Sequence, residues 1–120
     1  MSEFKGTPGP WVVDVRGGCV AVYEDGRQGD TNGCHFDDDR NIAYSNKGAE
    51  YDKVVGYWNM DKKTIRDFTL ISAAPELLDV CLRLRNQLYA AGYESEDKSL
   101  NPTKDLLYQA EQAIDKALGK

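Results

Sequence analysis

The chain has 120 residues, of which 41% are apolar, and its 15 basic and 20 acidic side chains leave a formal net charge of −5. That length suits one domain with a real core, expected to span 1–120, and is too short for two. No apolar run reaches the length of a membrane span, and no basic stripe is present to displace counterions from a phosphate backbone, so membrane and nucleic acid are both argued against as partners. The acidic excess is too mild for a mimic of DNA. A small anionic ligand held by a few arginines stays compatible, because that depends on local charge.

The opening Met1-Ser2-Glu3-Phe4-Lys5 lacks the charged-then-apolar order of a secretory signal. Cys19, Cys34 and Cys81 are the only cysteines, so they cannot all pair within the chain, and their scatter suits reduced thiols in a cytosol. Thr7-Pro8-Gly9-Pro10-Trp11 then forms an extended arm, since two prolines fix φ, and Trp11 brings a large ring to its end. Trp11–Val15 reads as a strand that turns at Gly17-Gly18 into Cys19–Tyr23, with Cys19, Ala21 and Tyr23 on one face and Val20 and Val22 on the other. A polar, glycine-rich loop follows from Glu24 to Gly33. Cys34–Phe36, Ile42–Ser45 and Val54–Trp58 are further short strands, with a turn at Asn46–Glu50. No helix separates these strands, so the sheet is expected to be antiparallel.

Asp61 is positioned as the N-cap of a helix running to Ile71, which Pro75 terminates before opening the next. In that second helix Leu77, Cys81, Leu84, Leu88 and Ala91 recur at steps of four and three, and Gly92 is a natural stop. Asn101-Pro102 starts a third helix, in which Leu106, Ala110, Ala113 and Ala117 form the matching stripe and Gly119 the end. The two stripes are expected to pack in an antiparallel helical hairpin. The fold class is therefore α+β: an N-terminal antiparallel sheet of four or five short strands (1–60) packed on three C-terminal helices (61–120). The hairpin carries more apolar surface than one small sheet can cover, so a homo-oligomer through the C-terminal helices is expected.

Chemistry-bearing sets are sparse. His35 is the lone histidine, and no Cys-x-x-Cys pair exists for zinc. Asp37-Asp38-Asp39 lacks the alternation and closing glutamate of a calcium loop. The glycines at 26, 29 and 33 are not followed by the Gly-Lys-Ser/Thr of a phosphate loop. No enzyme activity, metal or cofactor is expected. A binding site is better motivated. A nucleotide needs a flat ring to stack on and a cationic fork for its phosphate. Aromatic residues cluster in the β-rich half, with arginines in or beside its loops, and the ligand-binding set is expected to be Arg27, Arg40, Tyr44, Trp58 and Arg66.

Three segments carry a resemblance: Thr7–Trp11, Leu70-Ile71-Ser72-Ala73-Ala74-Pro75-Glu76-Leu77-Leu78, and Ala113–Lys120. They are similar to the TPGPW-like opening, LIAAAPELLEAL-like segment and AIAKALGK-like tail of a family of small phage and prophage accessory proteins. Many of those relatives carry an Asn or Asp, a small residue and an Arg before the middle segment, where this chain has Asp67, Phe68 and Thr69. The resemblance does not extend to roughly Gly17–Asn59. It implies a protein of the host cytoplasm that counters host defence, by sequestering a cyclic nucleotide or ADP-ribose-type signal without catalysis. Two other roles are open: an inhibitor docking on a host protein through the acidic loops around Asp37–Asp39, and a structural accessory protein.

Overall fold

The structure, a computed structural model, describes residues 4–28 and 39–120. Three strands, β1 (Trp11–Arg16), β2 (Cys19–Glu24) and β3 (Asn41–Ser45), form an antiparallel sheet in the order β1-β2-β3. Gly17-Gly18 closes the first hairpin, with Arg16 opposite Cys19 and Trp11 opposite Glu24. Between β2 and β3, Ala21 faces Tyr44, and a register shift at Val22/Tyr23 brings Asn41 opposite Tyr23. The central strand is buried on both faces. Cys19, Ala21 and Tyr23 form a cluster on which Val12 and Tyr44 pack, while Val20 and Val22 are fully buried on the other side. Two-sided burial explains why this strand is a nearly unbroken apolar run.

Two expectations change here. The sheet is split: β4 (Glu50–Asp52) and β5 (Tyr57–Asn59) pair only with each other. The run Val54–Trp58 is not one strand, because Asp52 folds a turn beneath it. Its Oδ1 accepts from the Val54 N–H at 2.9 Å and the Val55 N–H at 3.3 Å, and its carbonyl accepts from Gly56 at 2.8 Å. An aspartate bonding its own backbone two residues on outcompetes the β preference of two valines. Second, Cys19 is disulfide-bonded, against the expectation of three reduced thiols, while Cys81 is a free thiol. The strand expected at Cys34–Phe36 lies outside the described residues.

Helix α1 (Lys62–Ser72) packs on β1 and β2. Its cap is also a tether. The Asp61 side chain accepts from the Thr64 N–H at 3.0 Å, and the Thr64 hydroxyl lies 3.0 Å from Asp61 Oδ2 and 3.1 Å from the Lys47 carbonyl. The backbone N–H of Thr64, then its hydroxyl, hold the Asp61 carboxyl below the usual range. The N-terminal arm makes a second tether. A Cβ placed on Gly9 would lie 2.6 Å from Pro75 Cβ, so only glycine admits this approach. The two family-like segments at Thr7–Trp11 and Leu70–Leu78 therefore meet.

The chain forms two compact units, Gly6–Pro75 and Glu76–Lys120, the latter joined by Phe4 and Lys5. The second unit holds α2 (Ala74–Ala90), whose first turn contains the boundary, and α3 (Pro102–Leu118). Asn101 caps α3 by accepting from Thr103 N–H at 3.0 Å, with Pro102 at the first helical position and Gly119 closing the end in the left-handed conformation. Glu96 donates its N–H to the Lys104 carbonyl, and Lys98 donates its own to Asp105 Oδ1, which holds the connecting loop to the start of α3. Tyr89 donates its hydroxyl to Glu111 across the hairpin. The buried side chains of these helices are Leu82, Leu107 and Ile114. This corrects the expected packing: Leu77, Leu84, Leu106, Ala113 and Ala117 are exposed. The apolar arc of α2, from Val80 round to Leu82, is roughly 200° wide at 100° per residue, and a single partner helix covers one half of it. Among the described residues no helix is long and apolar enough to cross a membrane.

Candidate ligand-binding site

The end of β2 and the start of β3 converge on the N-terminal arm. Trp11 donates its indole N–H to the Thr7 carbonyl at 3.1 Å, and Asp25 N–H donates to the Pro10 carbonyl at 3.0 Å. Both bonds fold the arm back against the sheet end. After β2 the chain makes a tight turn in which Arg27 N–H donates to the Glu24 carbonyl at 3.0 Å. Gly26 sits at its third position with φ +89°, the left-handed value such a turn demands and glycine supplies. The Gln28 side chain accepts from Gly26 N–H at 2.9 Å and braces the turn. Arg27 is thereby set beside the end of β2, while Asn41 opens the adjacent strand opposite Tyr23 and Arg40 immediately precedes it.

These elements enclose a cavity of about 350 Å³ lined by Thr7, Glu24, Arg27, Asp39, Arg40, Asn41 and Ile42. Its size is at the low end of small-molecule sites. The lining holds two guanidinium and two carboxylate groups, so it is charge-balanced rather than cationic. The arginines can present planar donor forks to a phosphate or carboxylate, and Glu24 and Asp39 can accept from hydroxyl or amino groups. Ile42 contributes an apolar wall.

The five residues expected to bind one ligand do not meet in one place. Arg27 and Arg40 share this cavity. Tyr44 and Trp58 line a different one of about 250 Å³, with Gly18, Asn46 and Ala49. There Trp58 lies against the β1–β2 turn, where a Cβ on Gly18 would come within 3.0 Å of Trp58 Cβ. Across the β4–β5 pair Trp58 also meets Tyr51, with ring centroids 5.5 Å apart and planes tilted by 57°. Arg66 lies exposed on α1 and lines neither cavity. Thr7, Glu24 and Asn41 escaped the sequence reading. The two prolines beside Thr7 mark an arm but not where it lands, and Asn41 takes its place from the register shift.

Asp39 belongs to the cavity, whereas Asp37, Asp38 and His35 lie outside the described residues. Among the described residues no three His, Cys, Asp or Glu side chains gather as a metal site.

No match to the chain is found among curated proteins or among solved structures. A family match does exist, and it runs the full length, residues 1–120, in agreement with the phage-protein resemblance carried by both termini and the central segment. The chain belongs to the family described as Salmonella phage P22 protein Y8K6.

Proposed function

We propose that this phage-family protein binds a small nucleotide signal of the host, of the cyclic nucleotide or ADP-ribose type, and sequesters it without catalysis in the host cytoplasm. The observation that carries this reading is the shared cavity of Arg27 and Arg40, one just after β2 and the other just before β3. A guanidinium pair suits a phosphate, and the carboxylates of Glu24 and Asp39 suit the hydroxyls of a ribose, a pairing used at many nucleotide sites. A charge-balanced lining also favours a ligand carrying both anionic and donor groups over a plain polyanion. Tyr44 and Trp58 stand outside this reading.

The test is thermal unfolding of the purified protein against a panel of cyclic mononucleotides, cyclic dinucleotides and ADP-ribose-type compounds. A binder raises Tm in proportion to the logarithm of its concentration above Kd. The bound compound should be recovered chemically intact after denaturation. Arg27→Glu is expected to abolish the shift and Arg66→Glu to leave it unchanged. A panel without any shift overturns the reading, and a compound recovered cleaved overturns its non-catalytic part.

A further inference from the structure

The cavity of Tyr44 and Trp58 is left unused by the nucleotide reading. Its lining comes from the β1–β2 turn (Gly18), from β3 and the turn after it (Tyr44, Asn46 and Ala49) and from β5 (Trp58), and none of these side chains is charged. Trp58 has neighbours on two sides, Gly18 at its root and the Tyr51 ring at 5.5 Å, yet it stays 52% exposed. Gly17, and not Gly18, takes the positive φ of the hairpin turn, so backbone conformation does not call for a glycine at 18. Room does. A Cβ there would come 3.0 Å from Trp58 Cβ, 3.3 Å from its Cγ and 3.5 Å from Ala49 Cβ. The turn carrying Asn46 and Ala49 is braced as well. The Asn46 carbonyl accepts from Ala49 N–H at 3.1 Å, Ser45 Oγ accepts from Lys47 N–H at 3.0 Å, and the Thr64 hydroxyl of the α1 cap lies 3.1 Å from the Lys47 carbonyl. A site fixed in this way loses little ordering entropy when it is filled.

We propose that this cavity binds one uncharged planar heteroaromatic ring of the nucleobase class. Indole and phenol rings give such a ligand a surface to stack on, and every base has a π-face to offer. The exposed Asn46 amide presents a donor and an acceptor side by side, which matches the edge of a base. Size sets the limit. At about 250 Å³ the cavity falls below the roughly 300–1,000 Å³ of drug-sized sites and suits a single ring. Charge sets the class. The lining has no cation for a phosphate or carboxylate, in contrast to the cavity of Arg27 and Arg40. A sugar ring carries hydroxyls around its whole rim and would find only one amide and one phenol among the side chains to pair with. The site stands on its own geometry and does not rest on the nucleotide proposed for the other cavity.

Trp11 and Trp58 are the only tryptophans, so Trp11→Phe leaves the indole of the site as the sole reporter. Fluorescence of that variant is titrated to millimolar concentration with adenosine, guanosine, cytidine and uridine, and calorimetry of the wild-type chain checks the affinities. The expected result is saturable quenching of Trp58 by at least one nucleoside. Gly18→Ala, which displaces the indole, and Asn46→Ala, at an exposed turn position, should each weaken that binding about fivefold or more. Arg27→Glu should leave it unchanged. Titrations that show no quenching and no heat overturn the proposal. So does quenching that survives both Gly18→Ala and Asn46→Ala or is lost in Arg27→Glu, since either places the ligand elsewhere. Stronger quenching by methyl glucoside or by p-cresol than by every nucleoside overturns the ligand class. No nucleoside carries a phosphate, so their failure counts against this site alone and not against the nucleotide reading, which the thermal shift tests.

Discussion

The two units solve the burial problem in opposite ways. In the unit Gly6–Pro75, one strand carries the core: Val20, Ala21, Val22 and Tyr23 are each 0% exposed, and neighbours on both faces cover them. In the helical unit two helices of equal length bury only Leu82, Leu107 and Ile114 and leave four large aliphatic side chains in solvent. The strand has no apolar surface to spare; the hairpin has a surplus. The strand β2 itself gains nothing further by association, whereas the exposed side chains of the helices, like Val54, Trp58 and Leu70 in the first unit, gain further hydrophobic stabilisation only where they are covered.

The largest test of that contrast is a truncation series. Tyr23→Ala removes a fully buried ring from the strand and should cost about 3–5 kcal/mol, much of the total stability of a domain this size. Leu107→Ala should cost about 2–5 kcal/mol through the cavity left in the hairpin. Val54→Ala, at the 95% exposed tip of the β4–β5 turn, should stay within about 0.5 kcal/mol. Urea unfolding followed by tryptophan fluorescence and helical circular dichroism reads all three. Equal losses at Tyr23 and Val54 would break the contrast.

A middle-sized effect lies where the two family-like segments touch. Gly9→Ala places a methyl group 2.6 Å from the Pro75 ring carbon, closer than side chains pack. Either the arm or the start of α2 must shift, at a cost of about 1–3 kcal/mol. The arm also carries Thr7 into the cavity of Arg27 and Arg40, so on the proposed function the same variant should weaken a ligand-induced rise in Tm. Unchanged stability in Gly9→Ala would show that the arm does not depend on this contact.

Those outcomes bear on what the sequence could disclose. Helix ends were legible because their signals are local: Asp61, Asn101 and Gly119 act through bonds within a few residues, and each acts as expected. The β1–β2 hairpin was legible for the same reason. The covered half of α2 was not, because Leu77, Leu78, Cys81, Leu82 and Leu84 all fit a helical stripe, and periodicity cannot say which side meets the partner. The split of the sheet was hidden by Val54-Val55, whose β preference yields to the Asp52 side chain. In the candidate site, Arg27 and Arg40 were recognisable as residue types. Their convergence follows from the antiparallel pairing of β2 with β3, which sets the end of one strand beside the start of the other and which no pattern within either strand encodes. Tyr44 falls to another cavity because it sits opposite Ala21 on the clustered face of β2.

The smallest effect sharpens the helical side of the comparison. Tyr89→Phe removes the hydroxyl that Glu111 accepts from, but keeps the ring over which the Arg85 guanidinium lies at 5.8 Å. Tyr89 is 44% exposed, so solvent screens the bond and the loss at neutral pH should stay below about 1 kcal/mol. Its pH dependence is more telling than its size. The bond to Glu111 raises the Tyr89 pKa, so its contribution is fully present below the unfolded tyrosine value of about 10 and disappears as pH rises through the folded one. The Glu111 carboxyl is lowered, first by the Ser95 hydroxyl and then by Tyr89, so its contribution is present above about pH 4.3 and disappears as pH falls through the folded value. Tyr89→Phe leaves the Ser95 bond in place. The acid limb of the stability profile should therefore survive in the variant, while the alkaline limb loses the tyrosine component. The gap between wild type and variant should be widest between about pH 5 and 9 and close towards pH 11. A gap constant from pH 7 to 11 would mean that the hydroxyl contributes through packing alone, and that the hairpin, like the strand, is held by apolar contact.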